Sequence, residues 1–346
     1  MQKIDLSIII PIYNVEKYIF EFLNSIKLQS TPQIEFIFVD DGSTDSSIEI
    51  LEENLHYFNN YKLIRKKNGG VSSARNVGLK QCNGTYITFI DPDDCVNSDY
   101  ILTILNNLGY DLLMYDYYRF NSHTKEKNTL DISEGIYDKN EILKIFIPNL
   151  YGIESLPFSF NIFPMVWNKV YKLDIIKGNN LHFMSQREVN SEDSLFNIEY
   201  LSKCENVKYI KKTIINYRAN NNSLTMKPKN IQFYLARDKL LKIYKHYSIK
   251  FENNVSRVYH TRILFEYIQW FQFCFFNKNS YFENKEMFEN IYDKSFLKNE
   301  CNVALKKIND LKINKLYKFY LFFLSHKIYF VCYLIQYSKK QIGRKL

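Results

Sequence analysis

An open α/β sheet with mainly parallel strands, followed by a mostly helical C-terminal region, is the architecture this sequence predicts. Three observations predict it. Over the first 115 residues, short β-rich apolar runs alternate with amphipathic helical stretches. The run from Leu6 to Ile10 is nearly continuous in hydrophobicity, as a strand covered on both faces requires. From about residue 230 the apolar spacing turns helical and stays so, with long runs such as Val258 to Phe276.

Taken in order, the first strand is expected to end at Pro11, and a helix from about Val15 to Leu28 carries Ile19, Phe22, Leu23 and Ile26 on one face. A second strand, Phe36 to Val39, opens into Asp40-Asp41-Gly42-Ser43-Thr44-Asp45. Ser46 and Glu49 then match a capping box for the next helix. Lys62 to Ile64 reads as a third strand. Asn68-Gly69-Gly70 precedes a helix from Ser72 to Gln81. Tyr86 to Ile90 is a fourth strand, ending at Asp91-Pro92-Asp93-Asp94, and Leu112 to Tyr115 a fifth. Residues 116–150 are polar and less periodic. Residues 151–225 hold weak strand signals and the aromatics Phe158, Phe160, Phe163 and Trp167. Three segments are therefore expected: 1–115, 116–225 and 226–346.

A chain of 346 residues with 46% hydrophobic content can bury a sizeable core. Its six cysteines, at 82, 95, 204, 274, 301 and 332, form no C-x-x-C pair and have no histidine at ligand spacing. Neither a zinc site nor a disulfide framework is indicated, and a reduced, cytoplasmic setting is expected. The N-terminal apolar run is too short for a signal peptide. The net charge of +9 is concentrated in the tail. Residues 306–346 hold ten basic residues and one acidic residue, Asp310, while the rest of the chain balances at 36 of each sign.

Open α/β sheets bind ligands beyond the carboxyl ends of their strands, so the loops at 11–16, 40–45 and 91–94 should converge. Asp91, Asp93 and Asp94 crowd three carboxylates into four positions, which a divalent cation would relieve. Hard oxygen ligands suit Mg²⁺ or Mn²⁺, although a solvated acidic turn has the same composition. Asp40-Asp41-Gly42-Ser43 is good turn chemistry, and equally places a carboxylate to accept a base imide N–H or a ribose hydroxyl. Arg75 stands in the first turn of a helix, where N-terminal amides and a guanidinium together attract a diphosphate. Glu192-Asp193 opens a later apolar run. It reads either as a general base or as acids favoured at a helix start.

Four segments carry a resemblance. They are Ser7-Ile8-Ile9-Ile10-Pro11-Ile12-Tyr13-Asn14, Val39 to Asp45, Asn68-Gly69-Gly70-Val71-Ser72-Ser73-Ala74-Arg75-Asn76-Val77-Gly78 and Asp91-Pro92-Asp93-Asp94. In order and spacing they resemble the family 2 glycosyltransferases of GT-A fold. Val166-Trp167-Asn168-Lys169-Val170-Tyr171-Lys172, Ser191-Glu192-Asp193, Tyr217-Arg218 and Ser223-Leu224-Thr225 extend the likeness to about residue 225.

The resemblance implies a nucleotide-sugar site of Pro11, Tyr13, Asn14, Glu16, Asp41, Asn68, Gly70, Arg75, Asp91 and Asp93. Asp41 would contact the base, Asp91 or Asp93 the ribose, and Arg75 the diphosphate. It implies a Mn²⁺ or Mg²⁺ held by Asp93 or Asp94, Asp193 as catalytic base with Glu192 beside it, and Trp167, Lys169 and Arg218 in acceptor or donor loops. Lys66-Lys67-Asn68 departs from the family, whose members often carry Gln or Glu before the Asn. The implied activity is inverting transfer of a hexose or N-acetylhexosamine from a UDP-sugar to a glycan or lipid-linked glycan, in surface polysaccharide, lipopolysaccharide or capsule synthesis. An inactive glycan-binding or scaffold subunit is the alternative, and the retained Asp41, Asp93 and Asp193 weigh against it. A sugar-nucleotide pyrophosphorylase would need a Gly-rich phosphate loop where Pro11-Ile12-Tyr13-Asn14 stands. The basic tail, rich in Phe and Tyr but also in aliphatics, suits the anionic inner face of the cytoplasmic membrane better than nucleic acid.

Overall fold

The computed structural model describes residues 3–152, 162–219, 230–275 and 280–341. The chain forms two compact units, Met1–Leu150 with Asn161–Pro228, and Tyr151–Phe160 with Lys229–Leu346. Phe158, Phe160 and Ser223-Leu224-Thr225 lie outside the described residues.

The first unit is built on a ten-stranded sheet: β1 (Leu6–Ile12), β2 (Ile34–Asp40), β3 (Tyr61–Arg65), β4 (Tyr86–Phe89), β5 (Cys95–Val96), β6 (Leu112–Phe120), β7 (Lys125–Asn128), β8 (Gly135–Asp138), β9 (Lys169–Lys172) and β10 (Asn206–Arg218). The strand order is β3-β2-β1-β4-β9-β6-β10-β5, with β7 paired to β6 and β8 to β10. From β3 to β4 every pairing is parallel, as the alternation of strands and helices predicts. Beyond β4 the sheet is mixed. β9 runs antiparallel to both β4 and β6, while β6 and β10 are parallel to each other. The polar stretch after residue 116 is not a simple surface excursion, because it contributes the end of β6 and the short strands β7 and β8.

Two local expectations are corrected. Pro11 does not end β1, which continues to Ile12 in register with Asp40. Ile12 O accepts from Asp41 N on one side of the strand, and Ile9 O accepts from Ile90 N on the other. By alternation Pro11 faces the side of Ile9, beyond the last residue of β4, so the missing N–H breaks no ladder bond. The helix Ser47–Asn54 has no capping box, since the Ser46 side chain makes no cap bond. The Asp45 carboxylate accepts from Ser47 N and Oγ instead, and Ser46 N donates to Glu16 Oε2. An Asp one position earlier, in a turn tied to the neighbouring loop, has displaced the local cap.

Ile8, Ile10 and Ile12 pack with Ile19, Phe22, Leu23 and Phe38 in the core on one face of the sheet. The helix Val71–Gln81 packs against β1. Its close approach depends on Gly78, where an added Cβ would lie 2.5 Å from Ile9 Cγ2. All six cysteines are buried and free.

The second unit is helical, with Ile231–Lys250, Glu252–Phe275, Tyr281–Tyr292, Phe296–Lys306, Lys315–Ser325 and Tyr329–Gln341 as its main helices. Phe271, Phe275, Phe288 and Tyr329 form a mutually packed aromatic centre. The buried Glu266 carboxylate accepts from both Arg237 and Arg262, so its burial is matched by charge.

Gly78→Ala is expected to destabilise the first unit by about 1–3 kcal/mol through overpacking against a fully buried, β-branched neighbour. Chemical denaturation would measure the loss, and shortening Ile9 to Ala in the same chain should relieve the clash.

Candidate active site

The loops that follow β1 and β2 are bonded to each other. Asn14 takes a left-handed backbone (φ 50°), and its Oδ1 accepts from Thr44 N at 2.8 Å. Val15 N donates to Ser47 Oγ at 2.8 Å, and Glu16 N to Asp45 Oδ2 at 3.0 Å. Glu16 is thereby an exposed stitch between loops, Pro11 is buried in β1, and Tyr13 beside them is 49% exposed.

Asp41 begins the loop after β2 and is almost wholly buried. Its carboxylate accepts from Gly69 N at 3.0 Å, from Gly70 N at 2.7 Å and from the Lys66 ammonium. Gly70 has a positive φ of 87° and caps the helix Val71–Gln81. Gly42 also has a positive φ, 79°, and a Cβ there would crowd Asn68 N at 3.0 Å, so the two loops meet backbone to backbone. Asn68 Oδ1 accepts from Arg187.

Arg75 joins the remaining carboxylates. It is buried, and its guanidinium lies 5.9 Å from the Phe89 ring centroid and 5.5 Å from that of Phe183. Nη1 donates to Asp193 Oδ1 at 2.7 Å and Nη2 to Asp91 Oδ1 at 3.0 Å. Burial works against its charge, but Asp193, and then Asp91 and Glu192, outweigh it and hold the guanidinium protonated. Arg75 thus reaches a residue 118 positions away in sequence and joins it to Asp91.

The acidic loop after β4 is built differently. Burial, and then the Asp91 charge, push the Asp93 carboxyl up to about 6. Asp94 is raised further, by burial and then by Asp93, although its Oδ1 accepts from Arg218 N at 2.7 Å. Arg218 Nε donates to Asp93 O at 2.9 Å, and Nη2 to Glu21 Oε2 at 2.6 Å, so the last residue of β10 clamps this loop. Among the described residues no three His, Cys, Asp or Glu side chains close around a common point. A Mg²⁺ or Mn²⁺ that takes one or two carboxylates and completes its shell from phosphates still fits. Such an ion would stabilise the two carboxylates that burial now disfavours.

Glu192 and Asp193 open the helix Glu192–Leu201. Burial and then Asp193 raise Glu192 to about 7, and burial raises Asp193 against the pull of Arg75. Two residues expected in acceptor or donor loops are interior side chains here. Trp167 is 4% exposed and stacks on Tyr217, with ring centroids 5.3 Å apart. Lys169 is fully buried, and its ammonium donates to Phe163 O, Met165 O and Asn168 Oδ1. Burial lowers its pKa to about 7. Its three polar contacts all lie inside the unit. The sequence did not show the pairing of Lys66 with Asp41. Its one signal was the Lys66-Lys67-Asn68 stretch.

Residues 7–172 match the model of the family described as glycosyl transferase family 2. The putative glycosyltransferase EpsH of Bacillus subtilis (strain 168) is 30% identical over 230 residues, covering 66% of this chain and 64% of EpsH. Glycosyltransferase GlyA of Streptococcus pneumoniae serotype 4 is 32% identical over 223 residues, 64% of this chain and 31% of GlyA. The chain therefore spans less than two thirds of either relative. The crystal structure of S. aureus TarS 1-349 aligns with a TM-score of 0.65 at 19% identity, over 98% of this chain and 92% of that one. With its strand-end motifs gathered on Asp41 and Arg75 and its sheet shared with that structure, the chain belongs over residues 7–172 to the family 2 glycosyltransferases and has their GT-A fold.

Proposed function

We propose that the protein is a metal-dependent inverting glycosyltransferase. It would transfer a hexosyl or N-acetylhexosaminyl group from a UDP-sugar to a hydroxyl of a glycan or lipid-linked glycan in surface polysaccharide, lipopolysaccharide or capsule synthesis. The observation that carries this reading is the double ion pair of Arg75, which joins Asp91 at the nucleotide-side loop to Asp193 at the start of a distant helix. A merely structural arginine would not need to hold together the residues the reaction requires. The donor class is supported by TarS, named a poly(ribitol-phosphate) beta-N-acetylglucosaminyltransferase and crystallised in complex with UDP-GlcNAc.

In this reading Asp41 receives the base and Asp91 the ribose. Arg75 fixes Asp91 and Asp193 relative to each other, and its guanidinium charge also favours the donor diphosphate nearby. Asp193 accepts the proton of the acceptor hydroxyl as that oxygen attacks the anomeric carbon. The bond to the leaving UDP breaks on the opposite face, its electron pair passing to the β-phosphate, so the anomeric configuration inverts. Glu192 adds a second carboxylate beside the base. Asp93 and Asp94 would hold Mn²⁺ or Mg²⁺, which when bound supplies Lewis-acid stabilisation of charge on the diphosphate.

The second unit carries the membrane part of the proposal. No helix among the described residues is long and apolar enough to cross a membrane. Yet Leu316, Phe319, Phe322 and Phe330 are each about half exposed, and Lys312, Lys315 and Lys327 are exposed near them in sequence. Exposed aromatics with lysines suit the anionic inner face of the cytoplasmic membrane, where a lipid-linked acceptor would be concentrated. Lys339, Lys340, Arg344 and Lys345, which would add charge there, have side chains outside the described residues.

Offered a panel of UDP-sugars with Mn²⁺, the purified protein is expected to release UDP from one of them in an acceptor-dependent way, and release from none would refute the reading. EDTA should abolish transfer and Mn²⁺ or Mg²⁺ restore it, whereas Asp93→Ala should stay inactive at any metal concentration.

Asp193→Asn should lower turnover by about two to four orders of magnitude with donor affinity near normal. Loss of donor affinity in parallel would place Asp193 in the nucleotide site instead. The raised carboxyls set the sign of the pH dependence. As pH falls through about 7 the Glu192–Asp193 pair takes up a proton, so the rate should fall on the acid side. A rate flat from pH 8 to 5 would exclude this pair as the base.

Flotation with vesicles tests the membrane contact. The full chain should bind phosphatidylglycerol vesicles and not neutral ones, and the triple substitution of Phe319, Phe322 and Phe330 by Ser should release it. Equal binding to both vesicle types, or none to either, would refute the contact.

A further inference from the structure

We propose that Lys66 reads the edge of the donor base and, together with Asp41, selects a ring N–H lying next to a carbonyl, the edge that uracil presents and cytosine does not. The inference deepens the UDP-sugar reading above and rests on it.

The Lys66 ammonium has three protons. One goes to Asp41 and one to Lys67 O at 2.7 Å, which leaves one. The Asp41 carboxylate offers about four acceptor sites. Lys66 and Gly69 N take two on Oδ1, and Gly70 N takes one on Oδ2. One acceptor site therefore remains beside one donor.

That residue pair has a definite hydrogen-bond polarity. Uracil matches it, with the N3–H donating to Asp41 and the C4 carbonyl accepting from Lys66. Cytosine reverses both positions, setting the N3 lone pair against a carboxylate and the amino group against an ammonium. Mismatches of this kind leave buried polar groups unpaired, which discriminates far more strongly than a missing apolar contact.

The pair is also held rigidly enough to discriminate. Asp41 is 2% exposed and fixed by two backbone amides, and the Lys66 side chain, 18% exposed, is the part of the pair that reaches solvent. A carboxylate alone would accept an imide N–H without testing the group beside it. The added cation turns a single contact into a two-position test.

Equilibrium binding of UDP and of CDP, each with Mn²⁺, tests the proposal on the full chain. The wild type should bind UDP much more tightly than CDP. Lys66→Met should weaken UDP by about tenfold, as expected for a lost hydrogen bond to a charged group, and CDP much less, so that discrimination narrows. Lys66→Gln, which keeps an uncharged N–H donor group, should fall between the two. If Lys66→Met weakens UDP and CDP by the same factor, the lysine acts on the phosphates. If it weakens neither, it only balances Asp41. Either result overturns the inference while leaving the uridine reading intact. A wild type that binds UDP and CDP equally would instead refute the uridine reading and this inference with it. Thermal melting of each variant separates these outcomes from misfolding.

Discussion

Gathering partly buried carboxylates from a strand-end loop and a helix start is the constraint on which this site depends, and the guanidinium of Arg75 is what makes it tolerable. Asp91 and Asp193 would repel each other in a poorly hydrated setting, yet each takes one terminal nitrogen of the same side chain. Arg75 is itself held by the helix Val71–Gln81, and that helix is held close to β1 through Gly78. Packing in the core thereby sets the distance between a loop after β4 and a helix more than a hundred residues later. Strand-end loops alone would not fix it.

The two acidic loops are neutralised in different ways. Asp41 is met by two amides and an ammonium from the chain itself. Asp93 and Asp94 receive much less. Arg218 clamps the Asp93 backbone and one Asp94 oxygen, and both carboxyls stay raised by burial and then by a neighbouring carboxylate, Asp91 for Asp93 and Asp93 for Asp94. In the proposed reading, the loop whose internal charges are satisfied receives the neutral base. One left short of positive charge is suited to a cation that arrives with the phosphates.

Much of the parallel half was legible because its signals are local. Leu6–Ile12 and Ile34–Asp40 are apolar along nearly their whole length because both faces of these strands are covered, and turn residues follow each of them. The mixed half was not legible for equally physical reasons. β10 has register shifts on either side of Thr213, so its alternation breaks in the middle and its thirteen residues do not read as one strand. β9 has only four residues, and its burial comes from neighbours on both sides rather than from its own pattern. β5, of two residues, carries no periodicity at all.

The same distinction holds among the site residues. Asp41, Arg75, Asp91 and Asp193 could be named from short motifs, since each sits at a strand end or a helix start where chemistry and turn composition coincide. Lys169 stands within a motif, and a motif does not show whether a position serves substrate or fold. Its ammonium turns out to hold three oxygens inside the unit. Lys66 shows the converse. It matters through a partner 25 positions away, reached only because β2 and β3 lie side by side in parallel register. Asp40 pairs with Arg65 at the end of that register, so the next residue of each strand, Asp41 and Lys66, emerges at the same edge with opposite charge. A sequence shows both charges, but only the sheet register shows that they must meet.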